Sequence, residues 1–442
     1  MKKITFIGTG YVGLVSGAGV SDFGHNVICA DIASDKIEQL NKGEIPIYEP
    51  GLGNLVDRNV KAGRLSFTTE VDRAIQKADV IFIAVGTPQG ENGDADLSAV
   101  YEVAETIGEN LNGYKVICTK STVPIGTGEQ IIKIINQNKN KNSQFDYVSN
   151  PEFLREGSAV KDFLWPDRVV LGSSSKKAFD FMMDVYRPLF INETPIVKTS
   201  IQTAEMIKYA SNAFLALKIS YINEIANLCD EVDADIHEVT KAMGSDGRIS
   251  PKFLHPGPGY GGSCFPKDTN ALASLAKQKG LTLKTVEGAI RANQYQKERM
   301  VFKLNRLFNG DISGKTIAIL GLAFKQETDD IRDSAALDMI QSLLKSKSVI
   351  KAYDPIANSN MAQLYPDVTY CTNWENAVKG ADATVILTEW REFRAIDLNK
   401  VKELMNKPVI LDTRNILPIK DLTRLGFKFD NVGRKGIKKD AH

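Results

Sequence analysis

A short β-rich run that leads directly into a glycine pattern constrains the fold of this chain more than any other stretch. The run KITFIG continues into Gly8, Gly10 and Gly13, which fill the pattern GxGxxG, and a helix-length segment separates them from a second apolar run. In this setting the glycines serve a tight turn, the close approach of the backbone to a pyrophosphate, and the close packing of a helix on the sheet. The pattern predicts a β-α-β unit whose helix N-terminus holds the phosphates of a dinucleotide.

The residues at the ends of the following strand-like runs narrow the choice of dinucleotide. The second run ends at Asp31. An acid at this place hydrogen-bonds to a ribose 2′-hydroxyl and repels a 2′-phosphate, so we expect NAD rather than NADP. The alternative is that these are turn glycines followed by a solvated aspartate. The next runs end at Thr87 and Thr122, at the edge where ligands bind to a parallel sheet, although threonines there are also common as turn and cap residues.

The alternation of strands and helices appears in two parts of the chain. It extends to about residue 199 and restarts near residue 309, whereas 200–230 contains no glycine or proline and carries apolar residues at three- and four-residue steps. We predict an α/β fold in which two Rossmann-like, doubly wound parallel-sheet domains are joined by a helical central domain with one long helix. The expected bounds are 1–199, 200–308 and 309–430, followed by a basic tail, 431–442, that frays.

The composition argues against several classes of protein. With 442 residues, 43% hydrophobic, 25% charged and a formal net charge of +1, the chain has the composition of a globular protein of several domains, without the bias of nucleic-acid or membrane binders. The apolar run near the N-terminus is broken by Gly8 and Gly10, so we expect no signal peptide. Five scattered cysteines without metal-ligand spacing favour a reducing compartment, the cytoplasm, and predict no metal site.

One cysteine differs from the rest. Cys264 lies in the glycine-rich loop GPGYGGSCFPKD, whereas the other four lie in strand-like or apolar helical runs that bury inert thiols. We expect the loop glycines to let the backbone approach a ligand, and Pro266 to lie in the first turn of a helix. A helix N-terminus and the nearby Lys267 would favour the nucleophilic thiolate. A thiolate combined with NAD suggests oxidation of an aldehyde to an acid through a thiohemiacetal and a thioester.

Further polar residues suit this chemistry. Lys208 and Asn212 are four residues apart on the predicted long helix and share one face. An ammonium and an amide could stabilise a developing oxyanion, although such a pair is also typical of a solvated helix face. In NPEFLREG, Glu152 and Glu156 follow another strand-like run and are candidates for a base or for holding water. The alternative for these acids is a carboxylate that complements a helix dipole.

Four motifs give the chain a resemblance to a known family. GTGYVG, NPEFLREG, GPGYGGSCFPKD and GLAFKQETDDIRDS occur in the order and approximate spacing of the UDP-glucose/GDP-mannose dehydrogenases, which the chain resembles over nearly its whole length. WPDRVVLG, GGSCFPKD and LTEWREF are most similar to the members that oxidise UDP-glucose. The resemblance implies a four-electron oxidation of UDP-glucose to UDP-glucuronate with two NAD. It also implies an N-terminal NAD domain, a C-terminal UDP-binding domain and a homodimer formed at the long central helix.

The resemblance assigns roles to residues by matching motif. It implies Cys264 as nucleophile, Lys208 and Asn212 as oxyanion stabilisers, and proton and water handling by Asp268, Thr122 and Glu152. The implied NAD contacts are Gly8, Gly10, Tyr11, Val12, Gly13, Asp31, Lys36, Thr87, Thr122, Glu156, Lys267 and Arg332. The implied contacts of the nucleotide sugar are Glu152, Phe153, Leu154, Arg155, Glu156, Lys208, Asn212, Arg248, Phe253, Leu254, His255, Pro256, Gly257, Gly261, Lys325 and Arg414, with Arg248 reaching a neighbouring subunit.

The residues of the C-terminal part agree with this assignment in part. No GxGxxG follows AILG, so a second dinucleotide is not indicated. Lys325, Arg332 and Arg414 follow strand-like runs, where cations can neutralise a diphosphate; surface salt bridges are the alternative. Two rival functions stay open. One is a sister enzyme acting on GDP-mannose or a UDP-N-acetylhexosamine, and the other is a catalytically silent nucleotide-sugar sensor, which is expected to lack Cys264 or Lys208.

Overall fold

The computed structural model describes residues 1–90 and 93–434, so most of the predicted basic tail, 435–442, lies outside the described residues. The chain forms two compact units, the first from Met1 to Ser211 and the second from Asn212 onward. The three domains expected from the sequence stay a prediction, because the segment expected to form the central domain is shared between these two units.

An eight-stranded sheet is the centre of the first unit. Across the sheet the order is β3-β2-β1-β4-β5-β6-β7-β8, whose first six strands have the Rossmann arrangement. Neighbouring strands are parallel except β6 and β7, which pair antiparallel with Ser149 opposite Gly172. The strands are β1 (Lys3–Ile7), β2 (Asn26–Ala30), β3 (Leu65–Thr68), β4 (Val80–Ile83), β5 (Tyr114–Thr119), β6 (Gln144–Ser149), β7 (Val169–Gly172) and β8 (Ile196–Thr199).

The antiparallel pair differs from the all-parallel sheet that the sequence predicts. Segment 150–168 turns back beyond the carboxyl end of β6 and contains only a six-residue helix, α7 (Ala159–Leu164), in place of a full crossover helix. A parallel connection usually requires a longer, helical crossover. The reversal keeps both ends of segment 150–168 at the carboxyl edge of the sheet, where ligands bind in this fold.

Apolar side chains fill both faces of this sheet. Alternate residues of each strand point to opposite faces. Phe6 and Phe82 stack on one face with ring centroids 4.4 Å apart, while Ile81, Ile83 and Ile117 are buried on the other. The covering helices are α1 (Tyr11–Asp22), α2 (Ser34–Asn41), α3 (Leu52–Lys61), α4 (Val71–Lys77), α5 (Ser98–Asn110), α6 (Thr127–Asn138), α7 and α8 (Lys176–Val185), followed by a 3-10 helix (Arg187–Asn192).

The second unit contains a six-stranded, fully parallel sheet with the order β11-β10-β9-β12-β13-β14. Its six strands repeat the order of the first six strands in the sheet of the first unit. The similar runs ADVIFIAVGTP and ADATVILTEW therefore lie in equivalent strands, β4 and β12. The two Rossmann-like sheets predicted from the sequence are therefore confirmed. The strands are β9 (Thr316–Leu320), β10 (Val349–Tyr353), β11 (Thr369–Tyr370), β12 (Ala383–Ile386), β13 (Val409–Asp412) and β14 (Lys428–Asn431).

The predicted long helix is α9 (Ile201–Val232), which has 32 residues and contains the boundary between the units. The remaining helices are α10 (Ile236–Gly244), α11 (Phe265–Gln278), α12 (Lys284–Leu307), α13 (Ala335–Lys345), α14 (Asn358–Leu364), α15 (Trp374–Val378), α16 (Arg391–Arg394), α17 (Leu398–Leu404) and α18 (Ile419–Arg424). Within the described residues, none of the helices combines the length and the apolar character that crossing a bilayer requires.

Candidate active site

The glycine fingerprint has the geometry that the sequence predicts. Gly8 has φ +102°, and its amide donates to the carbonyl of Ala30, which continues the pairing of β1 with β2 into the turn. A Cβ on Gly13 would lie 2.0 Å from the carbonyl oxygen of Gly8, so helix and strand pack too closely for any side chain. A Cβ on Gly10 would meet nothing within 4 Å. The N-terminus of α1, whose second residue is Val12, therefore presents an open face of the kind a phosphate occupies.

Asp31 follows β2 with its carboxylate held by backbone groups. One oxygen accepts hydrogen bonds from the amide and the hydroxyl of Thr9, at 2.7 and 2.8 Å, and the other accepts from the amide of Ala33 at 3.0 Å. Burial opposes ionisation, but these hydrogen bonds and the charge of Lys36 outweigh it and lower the pKa of Asp31. The side chain is thus an anion at neutral pH, as repulsion of a 2′-phosphate requires.

The two threonines at the following strand ends lie together. The hydroxyl of Thr87, after β4, donates to the carbonyl of Thr122, after β5, at 3.0 Å. Farther along the second loop, the carboxylate of Glu205 accepts from the amides of Gly126 and Gly128 at 2.7 and 2.8 Å. Glu205 is 2% exposed and lies on α9, so the long helix anchors the loop that carries Thr122. The sequence analysis did not predict this role for Glu205. The only indication in the sequence is that Glu205 lies three residues before Lys208 and therefore on the same face of the helix.

Tyr11 has a partner that the sequence did not predict. Its hydroxyl donates to Glu49, which also accepts from the amides of Gly157 and Ala159 at 2.7 and 2.8 Å. Burial and the neighbouring carboxylates raise the pKa of Tyr11, so it remains a neutral donor. The hydroxyl of Tyr11, a residue that the resemblance assigns to NAD binding, is thus hydrogen-bonded within the protein. Its partner Glu49 links the helix α1 to the end of the NPEFLREG segment. Charge from Glu156 also acts on Tyr11.

A buried ion pair lies beyond the carboxyl edge of the sheet. Lys208 Nζ is 3.1 Å from Glu152 Oε1, and the two side chains are 4% and 5% exposed. The solvated-face alternative for Lys208 is therefore wrong, because the lysine is buried against an acid. The other oxygen of Glu152 accepts from the amide of Leu154 at 2.5 Å. The ring of Phe153 lies between two cations, with Lys208 Nζ 5.3 Å and the guanidinium of Arg168 3.5 Å from its centroid.

One residue of the same segment is bound elsewhere. Arg155 forms an ion pair with Asp162 at 2.5 Å, and 58% of its side chain is exposed. Its guanidinium is thus bound to Asp162, and the predicted contact of Arg155 with a nucleotide sugar stays a prediction.

In the second unit, Cys264 is the N-cap residue of α11, and Pro266 lies in the first turn as predicted. The carbonyl of Cys264 accepts from the amide of Asp268 at 2.8 Å. Cys264 is partly exposed, whereas Cys29, Cys118 and Cys229 are buried, and burial raises the pKa of Cys29 to about 12. The position of Cys264 at a helix N-terminus fits a reactive thiol, and the buried three fit inert ones. Cys371 lies just after β11 rather than within a strand.

Asp268 gathers two other predicted residues. It is 1% exposed, and its two oxygens are bound by Asn212 Nδ2 at 2.6 Å and by Lys267 Nζ at 2.7 Å. The solvated-face alternative is therefore wrong for Asn212 as well. The ammonium of Lys267 forms an ion pair with its chain neighbour Asp268, and its expected effect on the Cys264 thiolate stays a prediction.

The loop glycines pack closely against other parts of the protein, which the sequence did not predict. A Cβ on Gly261 would lie 2.3 Å from the carbonyl oxygen of Asp333, and one on Gly262 would lie 2.7 Å from the ring of Phe324. At Gly259, with φ +106°, a Cβ would lie 2.9 Å from Asn293 Oδ1. The missing side chains thus make room for other parts of the protein, and the approach of a ligand to this loop stays a prediction. Ligand contact through the backbone of Gly261 remains a prediction.

Of the cations predicted at the carboxyl edge of the second sheet, Arg414 lies close to the segment that contains another, Lys325. Arg414, after β13, donates to the carbonyls of Leu387 and Phe324, both at 2.7 Å, and forms an ion pair with Glu389 at 3.2 Å. A Cβ on Gly257 would lie 3.4 Å from Arg414 Nη1. Arg414 therefore brings the FLHPG segment close to Phe324, the chain neighbour of Lys325.

The FLHPG segment itself has an unusual backbone. Phe253 has φ +65°, which is rare for a bulky residue, and its ring is 6.0 Å from that of Phe265. Leu254 and Pro256 are buried, while His255 is exposed. Such strain persists only where the surroundings hold it, and it is frequent at binding sites.

Two arginines are bound locally instead of joining these clusters. Arg332 forms an ion pair with Asp330 at 2.8 Å, with 65% of its side chain exposed. Arg248 forms an ion pair with Asp246 at 2.6 Å, with 89% of its side chain exposed. The surface-salt-bridge alternative describes Arg332 in this structure, and the contact of Arg248 with a neighbouring subunit stays a prediction. Within the described residues no group of three or more His, Cys, Asp and Glu side chains could hold a metal ion.

Comparison with known proteins identifies the same parts. Models of the UDP-glucose/GDP-mannose dehydrogenase family match its NAD binding domain at residues 2–190, its central domain at 202–295 and its UDP binding domain at 318–419. UDP-glucose 6-dehydrogenase of Rhizobium meliloti is 48% identical over 98% of this chain and 99% of its own, and UDP-glucose 6-dehydrogenase TuaD of Bacillus subtilis is 47% identical over 99% and 94%.

Solved structures agree with this result. A UDP-glucose dehydrogenase from Pyrobaculum islandicum superposes with a TM-score of 0.92 at 34% identity, over 98% of both chains. A UDP-D-ManNAc dehydrogenase from Pyrococcus horikoshii gives a TM-score of 0.85 at 28% identity, over 98% of this chain and 99% of the other. On these matches, which together span nearly every residue, the chain belongs to the UDP-glucose/GDP-mannose dehydrogenase family.

Proposed function

We propose that this protein oxidises UDP-glucose to UDP-glucuronate with two NAD per sugar. The observation that supports this most is Cys264 at the N-terminus of α11, in a chain whose near-full-length relatives at 47–48% identity are UDP-glucose 6-dehydrogenases. Converting an alcohol to an acid removes four electrons, and a cysteine is useful only for the second pair, because it captures the aldehyde.

In the proposed mechanism the hydroxyl on C6 first loses its proton and the C6 carbon loses a hydride, which gives an aldehyde. The Cys264 thiolate then adds to the carbonyl carbon, and Lys208 and Asn212 stabilise the oxyanion that forms. A second hydride leaves this thiohemiacetal to give a thioester, which one water hydrolyses, releasing the acid and the thiol. We assign the handling of protons and water to Asp268, Thr122 and Glu152. Bound NAD supplies the hydride acceptor for each of the two oxidations.

The buried polar contacts of each unit support these roles. Lys208 is fixed by Glu152 in the first unit and Asn212 by Asp268 in the second. A donor held in place before the reaction loses little free energy in reorganisation when charge develops, which is why such donors are effective catalysts. For NAD we propose the fingerprint glycines with Val12, Asp31, Lys36, Thr87 and Thr122. For the UDP group we propose Lys325, Arg414 and the FLHPG segment.

We further propose that the protein is a homodimer formed at α9. Phe214, Tyr221 and Leu228 recur at seven-residue steps on this helix and are 61%, 47% and 56% exposed. Large apolar side chains at this spacing form one stripe, which a second copy of the chain would cover. Tyr221→Glu should shift the protein to monomer in light scattering; an unchanged dimer would place the interface elsewhere. The exposed Arg248 is proposed to reach the partner's substrate.

The cytoplasm is the proposed location. All five cysteines are free, and unpaired thiols of this kind persist in a reducing compartment. Fractionation of the source cells, with the protein detected by antibody, would test this directly. Recovery of the protein outside the cytoplasm would contradict the proposal.

A panel of nucleotide sugars tests the proposed activity. Purified protein with NAD and limiting UDP-glucose should form two NADH per sugar with no free aldehyde, whereas a ratio of one with released aldehyde would contradict the double oxidation. UDP-N-acetylmannosamine, UDP-N-acetylglucosamine and GDP-mannose serve as competitors. Exclusive turnover of one of them would make this a sister enzyme. Tight sugar binding without any NADH would make it the silent sensor, although Cys264 and Lys208 are both present.

A further inference from the structure

One buried cation near the Lys208–Glu152 pair has no part in the mechanism above. Lys120 directly follows β5 and is 6% exposed. Its Nζ lies 3.2 Å from Asn150 Oδ1 and 3.3 Å from the hydroxyl of Tyr186, so both hydrogen-bond partners are neutral. An ammonium removed from water without a close carboxylate is costly, and such groups are frequent at functional sites.

A second buried lysine, at the other end of β5, has a structural role and serves as a comparison. Lys115 is 3% exposed, and its Nζ donates to the carbonyls of Gln76 and Ala78, at 3.1 and 2.6 Å. These carbonyls lie at the C-terminus of α4, where a cation satisfies unpaired acceptors and complements the helix dipole. Lys120 has no helix end to stabilise, so its burial requires another explanation.

The contacts of Lys120 lead to Glu152. Asn150 is two residues before Glu152 and is fixed on all sides: its amide N–H donates to the carbonyl of Thr119 at 2.9 Å, and its side-chain nitrogen donates to the carbonyl of Val170 at 2.8 Å. The hydroxyl of Tyr186 donates to Asn150 Oδ1 at 2.5 Å, beside Lys120. Lys120 thus helps to fix the start of the segment that carries Glu152.

The titratable groups around Lys120 lie on four elements. Cys118 lies on β5, Glu152 follows β6, Tyr186 follows α8, and Lys208 lies on α9. Burial lowers the pKa of Lys120 to about 8, opposed by Cys118 and Glu152 and reinforced by Lys208. Burial raises the pKa of both Cys118 and Tyr186, which keeps them neutral. With Lys120 and Lys208 protonated and Glu152 ionised, this buried group carries a net positive charge.

We propose that Lys120 acts on the oxidation indirectly, as a positioning residue whose charge keeps the buried group of Lys120, Lys208 and Glu152 net positive. The inference rests on the proposed function. A positive field at Lys208 favours an oxyanion intermediate, because charge that develops near a fixed cation is stabilised. This stabilisation of the oxyanion should be largest at pH values where Lys120 is protonated, and it should vanish at pH values where Lys120 is neutral.

The test compares Lys120→Met with Lys115→Met, which removes an equally buried lysine from the other end of the strand. For Lys120→Met we expect kcat to fall roughly tenfold, because a positive charge that favours the oxyanion is lost. KM for UDP-glucose and NAD should stay within about twofold and Tm should not fall. Lys115→Met should lower Tm and leave kcat within about twofold of wild type.

A pH profile separates an electrostatic role from a merely structural one. The ratio of wild-type to Lys120→Met kcat should be largest below pH 8 and approach one as the pH rises through about 9, where Lys120 of the wild type is neutral. Lys120→Arg, which stays charged, should remove this decline. If Lys120→Met is poorly folded, Lys120→Gln, which can still donate to Asn150, should give the same pH-dependent loss.

Three results would overturn the proposal. These are a wild-type kcat for Lys120→Met or Lys120→Gln, a loss of kcat that is the same at every pH, and an equal loss for Lys115→Met. Failure of the wild-type protein to oxidise UDP-glucose would instead contradict the proposed function. The two failures are therefore distinguishable in the same assay.

Discussion

Replacing Lys208 by methionine tests whether the buried ion pair belongs to the reaction or to the fold. Lys208 Nζ and Glu152 Oε1 are 3.1 Å apart and almost fully shielded from solvent. At an effective dielectric constant of about 20, two unit charges at this distance attract by roughly 5 kcal/mol. Desolvation costs several kcal/mol per ion, so the net contribution of the intact pair is small. Methionine would leave the Glu152 carboxylate buried without its cation, at a cost of about 3–5 kcal/mol.

The double variant Lys208→Met/Glu152→Gln separates the two effects. It removes both charges, so most of the lost stability should return, to within about 1 kcal/mol of the wild type. Activity should not return, because an oxyanion donor is still missing; we expect a fall in kcat of roughly 10²–10³-fold, about 3–4 kcal/mol, in both variants. Urea unfolding measures the stability, and NADH formation at saturating UDP-glucose measures the rate.

Two outcomes would refute this reasoning. A double variant no more stable than Lys208→Met would mean that the carboxylate is not left unpaired in the single variant. A kcat within about threefold of wild type for Lys208→Met would show that the ammonium does not stabilise the transition state, since even one neutral donor contributes more than this.

Three further predictions follow from the contacts of other residues. Cys264→Ala should abolish acid formation while UDP-glucose binding, measured by calorimetry, persists; turnover at the wild-type rate would remove the thiol from the mechanism. Burial raises the pKa of Glu205 to about 7. The folded protein therefore binds a proton more tightly than the unfolded chain, and stability should fall by roughly 3 kcal/mol between pH 4.5 and 7; Glu205→Gln should flatten this part of the Tm-against-pH curve, and an unchanged slope would assign it to another group. Gly261→Ala places a Cβ 2.3 Å from a backbone oxygen and should cost about 1–3 kcal/mol, whereas Gly288→Ala, inside α12 with nothing within 4 Å, should stabilise by up to about 1 kcal/mol; equal effects would contradict the packing role of the loop glycine.

Local patterns in the sequence were enough to predict the parts of the fold that depend on backbone geometry. The order β1, GxGxxG, α1, β2 and Asp31 is a local arrangement in which each residue type has one favoured conformation, and all of it is present. The 32-residue helix α9 follows from a long segment without helix breakers. Pro266 in the first turn of α11 follows for the same reason.

Contacts between distant side chains could not be predicted in this way. Nothing near Tyr11 in the sequence indicates Glu49, and the loop glycines gave no sign that Asp333 and Phe324 fill the space beside them. The antiparallel pairing of β6 and β7 depends on how segment 150–168 folds, not on the strand residues themselves. Periodicity assigns residues to faces of an element, but the partner of each face is set by tertiary packing.

In helix α9 the burial of several residues is the opposite of what their polarity predicts. Two of its three aromatic residues, Phe214 and Tyr221, are exposed, whereas the polar residues Glu205, Lys208 and Asn212 are buried, which inverts the usual distribution at these positions. These three polar residues are spaced three and four apart, so they form one row on the helix. Each is bound by a partner far away in the sequence. Burying such a row costs free energy that small apolar side chains would not. A helix whose only task was to connect two sheets would be expected to carry alanine or leucine at these positions, and the polar row agrees with the roles proposed for Lys208 and Asn212. The exposed side chains of Phe214 and Tyr221 agree with the homodimer proposed at this helix.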